Sequence, residues 1–177
     1  MTLQSAPVLN ETLIAHFRNI ITSAIIPIGT TTIGRHAFSH CSILELVVIP
    51  EGVICISDDA FSHCSKLTTV IFPRGIHTIG VKAFSYCICL THVFIPEHQY
   101  SAPIVIQSDT FLGCTALKRA ILPSHTIKLG SGCFYNCTSL SYFSIPSRLT
   151  KIEWCVFAYC KRLKSITIPS TITTIRS

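Results

Sequence analysis

Residues 60–73 read Ala60-Phe61-Ser62-His63-Cys64-Ser65-Lys66-Leu67-Thr68-Thr69-Val70-Ile71-Phe72-Pro73. Phe61, Cys64 and Leu67 stand three apart, a spacing that suits a tight turn or a short 3₁₀ piece pointing inward. From Leu67 the pattern changes to period two, as in a half-buried strand. Val70 and Phe72 are expected to point inward, and Thr69 and Ile71 outward. Pro73 ends the strand, because it has no N–H to offer a ladder.

The same stretch recurs along the chain. Phenylalanines fall at Phe38, Phe61, Phe84, Phe111, Phe134 and Phe157, and cysteines three residues later at Cys41, Cys64, Cys87, Cys114, Cys137 and Cys160. Leu44, Leu67, Leu90, Leu117, Leu140 and Leu163 keep the beat, as do seven prolines from Pro27 to Pro169. The interval is 23 residues, except for one of 27 between Phe84 and Phe111. Five residues before each Phe stands an aliphatic: Ile33, Ile56, Ile79, Ile106, Leu129 and Ile152. Residue types held in register over six copies mark an internal repeat, and units of this length stack into a solenoid. The four extra residues fall within 97–103, and the chain stops mid-repeat at Ser177.

Composition fits a chain that buries its apolar residues regularly. Of the 177 residues 49% are hydrophobic and 12% charged, against roughly 25% charged in an average domain. Disorder needs the opposite balance. The longest unbroken apolar run, Trp154 to Cys160, has seven residues, where a membrane-spanning helix needs about 18. Residues 1–10 carry no positive side chain and no long apolar segment follows, so no secretory signal is expected.

The motif F-x-x-C-x-x-L every 23 residues resembles the BspA-type leucine-rich repeat over residues 26–177. The resemblance implies a mainly β, right-handed solenoid of about six coils with a strand on one face of each. It also implies binding rather than catalysis, commonly on bacterial or protist surfaces or in secreted factors. Residues 1–25 are expected to form an N-terminal segment, and 26–177 the solenoid, in a single domain overall. Within the segment Asn10 suits a helix cap and Glu11 the first turn. Leu13, Ile14, Phe17, Ile20 and Ile21 recur at helical spacing, so a capping helix is expected over residues 11–20.

The outward strand positions carry the functional signal. Two after each repeat leucine the column reads Ser23, Leu46, Thr69, His92, Arg119, Tyr142 and Ser165; four after, it reads Ile25, Val48, Ile71, Phe94, Ile121, Ser144 and Thr167. The repeat family prefers Ser and Thr there. An apolar stripe of Leu46, Val48, Ile71, Phe94 and Ile121, edged by His92, Arg119 and Tyr142, is what a binding patch looks like. β-Branched residues favour strands anyway, but Phe94 and Leu46 exceed what that preference asks. Charge is uneven too. Residues 118–177 hold nine Lys or Arg and only Glu153, with Lys118, Lys161, Arg162 and Lys164 forming a basic pole that could steer acidic partners or simply stay solvated.

Other constellations read as structural. The repeat cysteines are expected to be reduced and buried, as small hydrophobes in a reducing environment. His40, His63 and Tyr86 should form an exposed stacked column, since neither C-x-x-C nor His-pair spacing points to a metal. Asp59, Lys82 and Asp109 share a column and are expected to form an ion-pair ladder. No nucleophile elbow, P-loop or H-E-x-x-H motif is present, so neither an enzyme nor a cofactor is expected. The reading is a protein-binding module using its strand face, with a secreted or exported host-interaction factor as one form of it. The alternative is a self-associating or cell-surface adhesion unit that stacks through its last coil. The lack of an aromatic-interleaved groove argues against nucleic acid. The expected location is a cytosol, the producer's or, after export without a Sec signal, a host's; a cell surface is the alternative.

Overall fold

The computed structural model describes residues 18–97 and 102–176. Thirteen short strands are described there. The first six are β1 (Ser23–Ile25), β2 (Thr32–Ile33), β3 (Leu46–Val48), β4 (Cys55–Ile56), β5 (Thr69–Ile71) and β6 (Thr78–Ile79). Then follow β7 (His92–Phe94), β8 (Ile104–Ile106), β9 (Arg119–Ile121), β10 (Thr126–Leu129), β11 (Tyr142–Phe143), β12 (Lys151–Ile152) and β13 (Thr174–Ile175). Odd-numbered strands up to β11 lie on one face of the solenoid, in the order β1-β3-β5 and β7-β9-β11. The second face carries the unbroken sheet β2-β4-β6-β8-β10 and the pair β12-β13. Every pairing is parallel, because each coil passes each face in the same direction. Register moves by one repeat, as in Thr32↔Cys55 and Cys55↔Thr78. The four extra residues do not disturb it, since Ile79 still faces Ile106.

The core runs along the solenoid axis. Phe38, Phe61, Phe84, Phe111, Phe134 and Phe157 stack with near-parallel rings at 5.0, 5.1, 5.6, 5.4 and 5.9 Å. Such offset aromatic pairs add about 0.5–1.5 kcal/mol each beyond area burial. Ile33, Ile56, Ile79, Ile106 and Leu129 fill the second face from inside, all essentially without solvent contact.

The Phe-containing turn links the coils in both directions. In the first, the N–H groups of Ala37, Ser39 and Cys41 donate three residues back, to the carbonyls of Gly34, His36 and Phe38. The alternate N–H groups of His36, Phe38 and His40 donate to Asp58, Ala60 and Ser62 of the next coil, at 3.2, 2.7 and 2.8 Å. Directing successive amides along and across the stack requires positive φ two residues before and two after each Phe. His36 and His40 have φ of 55° and 61°, and the corresponding pairs Asp59/His63, Lys82/Tyr86, Asp109/Gly113, Gly132/Asn136 and Cys155/Tyr159 follow. This left-handed region is sparsely used outside Gly, Asn, Asp and His. Glycine at 132 meets a second demand: a Cβ there would collide with Asp109 Oδ1.

The repeat cysteines complete the same link. The thiols of Cys64, Cys87, Cys114, Cys137 and Cys160 donate to the carbonyls of Phe38, Phe61, Phe84, Phe111 and Phe134 at 3.1–3.2 Å. All ten cysteines are free thiols. Burial pushes the thiols of Cys41 and Cys160 up to about 11 and that of Cys114 up to about 12. Those of Cys64, Cys87, Cys133 and Cys137 are raised further for the same reason.

The expected N-terminal helix is corrected by the structure. No helix occurs among the described residues; residues 18–20 form a turn. Ile20 is 70% exposed rather than packed on the first coil. The β-branched run Ile20-Ile21-Thr22 leads directly into β1, which pairs with β3 from Ser23↔Leu46 to Ile25↔Val48. The remainder of that expectation, residues 11–17, lies outside the described residues. The architecture that stands is a parallel β-solenoid of about six coils.

The first face has two breaks. β5 and β7 are neighbours without a shared ladder, and residues 165–167 form no strand beside β11. Each break coincides with a phenylalanine where other coils carry smaller residues. Phe72 occupies the position of Ile49, Ile95 and Ile145, and Phe143 that of Val47, Val70, Val93 and Ala120. Phe72 turns its edge to Phe84 at 5.6 Å, and Phe143 lies 5.1 Å from Phe134 and 4.9 Å from Phe157. An oversized side chain in a filled core displaces its surroundings. Here it parts the strands above it.

Two outcomes test this architecture. Thiol titration of the native protein should react with Cys89 and Cys155, which are exposed, and more slowly with half-buried Cys55. The count should rise to ten only in denaturant; rapid reaction of the repeat cysteines in the native state would contradict the thiol column. The second concerns pH. His40 and His63 stack 4.6 Å apart and nearly parallel, and His63 is lowered from 6.5 by burial and by His40, against an opposing effect of Asp59. A lowered histidine disfavours the charged form in the fold, so its stability contribution is present above 6.5 and lost as pH falls below it. Thermal stability should therefore fall on acidification from about pH 7.5 to about pH 5.5. His63→Asn, which tolerates positive φ, should flatten that fall; an unchanged slope would show that the stack does not contribute.

Candidate protein-binding surface

Alternation places one residue of each short strand inward and its neighbours outward. Val47, Val70, Val93, Ala120 and Phe143 are buried, so the residues flanking them face solvent. Ladder register then fixes which outward residues meet. Ser23, Leu46 and Thr69 form one row, continued beyond the first break by His92, Arg119 and Tyr142. Ile25, Val48 and Ile71 form the second, continued by Phe94 and Ile121.

Exposure separates the residues within these rows. Ile71, Phe94, Ile121 and Tyr142 are 51, 56, 40 and 51% exposed, and His92 and Arg119 are exposed as well. Leu46 and Val48 are half-buried. Ile25, at 79%, lies beside Val48 and extends the apolar row to the first coil. The guanidinium of Arg119 sits 4.9 Å from the centre of the Tyr142 ring. That geometry attracts a cation to an aromatic face. His92 Nδ1 lies 3.0 Å from Thr91 Oγ1. The strand-face residues singled out from sequence thus share one face.

The basic residues do not form a single cluster. Lys118 stands at the entry to β9 and Lys164 one position after Leu163, the equivalent place two coils on; both are exposed. Lys161 and Arg162, also exposed, lie in the turn after Cys160. Glu153 pairs with Arg176 at 3.4 Å beside β12 and β13 on the second face. No carboxylate between 118 and 177 therefore offsets Lys118, Arg119 and Lys164.

The aromatic column forms as expected: His63 stacks on His40 and on Tyr86, the latter at 4.8 Å. The Asp59–Lys82–Asp109 ladder does not. Among the described residues the side-chain ion pairs are Glu97–His125 and Glu153–Arg176. All three members of the expected ladder occupy the left-handed position before Phe, with φ of 53°, 55° and 56°, a backbone requirement that column membership alone does not reveal.

One feature escaped the sequence reading. Between β11 and residues 165–167 lies a cavity of about 300 Å³, lined by Ser141, Tyr142, Ser144, Ser165 and Thr167 over a floor of Phe143 and Ile166. The signal was the extra phenylalanine at 143.

Comparisons place this geometry among known proteins. The sequence profile described as the BspA-type leucine-rich repeat region matches residues 15–104 and 101–177, in six copies. A leucine-rich repeat protein of Bacteroides ovatus is 31% identical over 88% of this chain, with a TM-score of 0.78. The chain spans 39% of that protein's length. The leucine-rich repeat protein of T. pallidum shares the fold at 24% identity, covering 89% of this chain and 74% of its own, with a TM-score of 0.80. A leucine-rich cell surface protein from Faecalibacterium prausnitzii is 29% identical over 82% of this chain and 31% of its own, with a TM-score of 0.60. No curated protein matches significantly. With six repeat copies matched along its length and the solenoid in place, the chain belongs to the BspA-type leucine-rich repeat family.

Proposed function

We propose that the protein is a non-catalytic interaction module that binds a protein partner through the outward strand face. The observation that carries this reading is the exposed row of Ile71, Phe94 and Ile121, with Tyr142 beside it, on the strand face of the solenoid. Exposed large apolar side chains cost solubility and are concentrated at interaction sites. Aromatic and arginine residues are the usual anchors of such sites, and Phe94, Tyr142 and Arg119 supply them. A preformed surface also loses little conformational entropy on binding. Lys118, Lys161, Arg162 and Lys164 would steer an acidic partner toward this end.

For location, the free thiols favour a reducing compartment, as in a cytosol. The Faecalibacterium protein, described as a cell surface protein, supports the surface as the alternative.

The test is a pull-down from producer and host lysates with wild type and the double variant Phe94→Asp/Ile121→Asp. Both side chains are exposed, so the variant should match wild type in circular dichroism and melting. The expected outcome is a partner retained by wild type and reduced at least about tenfold by the variant, as for loss of an interface anchor. Equal capture by both chains would remove the apolar row as the binding surface.

A further inference from the structure

We propose that the gap between β11 and residues 165–167 is a docking slot for an extended acidic segment of a partner protein, which adds its backbone to the free edge of β11. Intact junctions on this face share one bond: the residue after each repeat leucine donates its N–H to its counterpart in the preceding coil. Glu45 donates to Thr22, Thr68 to Glu45, Lys118 to Thr91 and Ser141 to Lys118. No such bond runs from Lys164 to Ser141 among the described residues. The edge of Ser141–Ser144 that faces the last coil therefore has no backbone partner. An open strand edge pairs readily with an extended peptide.

The chemistry of the slot selects the peptide. Its 300 Å³ stands at the lower end of ligand-pocket volumes, ~300–1,000 Å³. Five hydroxyl side chains line it and no carboxylate does. Hydroxyls can donate to carboxylate oxygens. Lys164 precedes Ser165 on one wall, while Lys118 and Arg119 stand one coil behind the other, where the carbonyl of Lys118 accepts the N–H of Ser141 and Arg119 is held over the Tyr142 ring. Cations flanking the slot and hydroxyl donors within it fit alternating acidic side chains, while the backbone of the segment meets β11. Phe143 and Ile166 offer an apolar floor to the intervening side chains. A membrane surface has anions but no strand to pair, so backbone pairing separates the two.

The slot is distinct from the Phe94–Ile121 row, and its test does not depend on that row. The probe is a fluorescein-labelled heptapeptide, Thr-Glu-Val-Glu-Val-Glu-Thr, titrated with the full chain in an anisotropy assay at low salt. Saturable binding is expected, with at least about tenfold weaker binding of the peptide carrying Lys for Glu, and of the acidic peptide to Lys118→Glu/Lys164→Glu. Both lysines are exposed, so the variant should fold. N-methylation of alternate peptide amides should abolish binding, because it removes the ladder donors. Phe94→Ser/Ile121→Ser, which removes the apolar row without adding charge beside β11, should bind the peptide as wild type does. Equal affinity for acidic and basic peptides would overturn the proposal. So would unchanged binding after N-methylation, or lysine-dependent binding of phosphatidylserine vesicles without binding of the peptide.

Discussion

Each of the first five phenylalanine turns of this solenoid gives the N–H of its phenylalanine to the next coil and receives that coil's cysteine thiol on the same residue's carbonyl. The phenylalanine ring meanwhile stacks on its counterpart. Three contacts between one residue and the coil after it thus fix translation, rotation and spacing together. The two left-handed residues around each phenylalanine are what make this possible. They send alternate amides along the chain and across to the neighbour. Thiol donors are weak individually, but a serine of similar size would bury a stronger polar group in an apolar column. Cysteine fits because it is both apolar enough to bury and able to complete the bond.

With the stack held at the turns and by the second sheet, the strand face has latitude. It tolerates Phe72 and Phe143 beneath its strands, and its ladder breaks at both places while the second sheet runs on through five strands. It also tolerates Phe94, Ile121 and Tyr142 on its exterior. The four extra residues between β7 and β8 likewise leave Ile79 in register with Ile106 on the second sheet. Variation therefore gathers on the face that is not needed to set the pitch.

Much of this was legible from spacing alone. A 23-residue beat of Phe, Cys, Leu and Pro defines coils, and period two after each leucine separates inward Val70 from outward Ile71. The stacked His40, His63 and Tyr86 follow from the same alignment. Spacing says which residues are neighbours but not how the backbone turns between them. Asp59, Lys82 and Asp109 align as an ion-pair ladder, yet they sit where the turn demands positive φ, and no such pair forms. Ile20 and Ile21 fit a helical period as well as the approach to a strand. Pairing with β3, a long-range contact, drew the chain that follows them into the sheet. The slot beside β11 depends on packing that spacing does not give: the ladder stops where Phe143 replaces the smaller residues of its column.

Native-state hydrogen exchange, resolved by residue, tests most directly whether the turn column carries the stack. If it does, the amides of Phe61, Phe84 and Phe111 exchange slowest in the molecule, while those of residues 165–167 exchange rapidly. Strand-face amides would lie between, with Thr91 faster than Thr68 and Lys118, because only the first lacks its bond to the preceding coil. Protection greatest on the strand face, or uniform across both breaks, would contradict it.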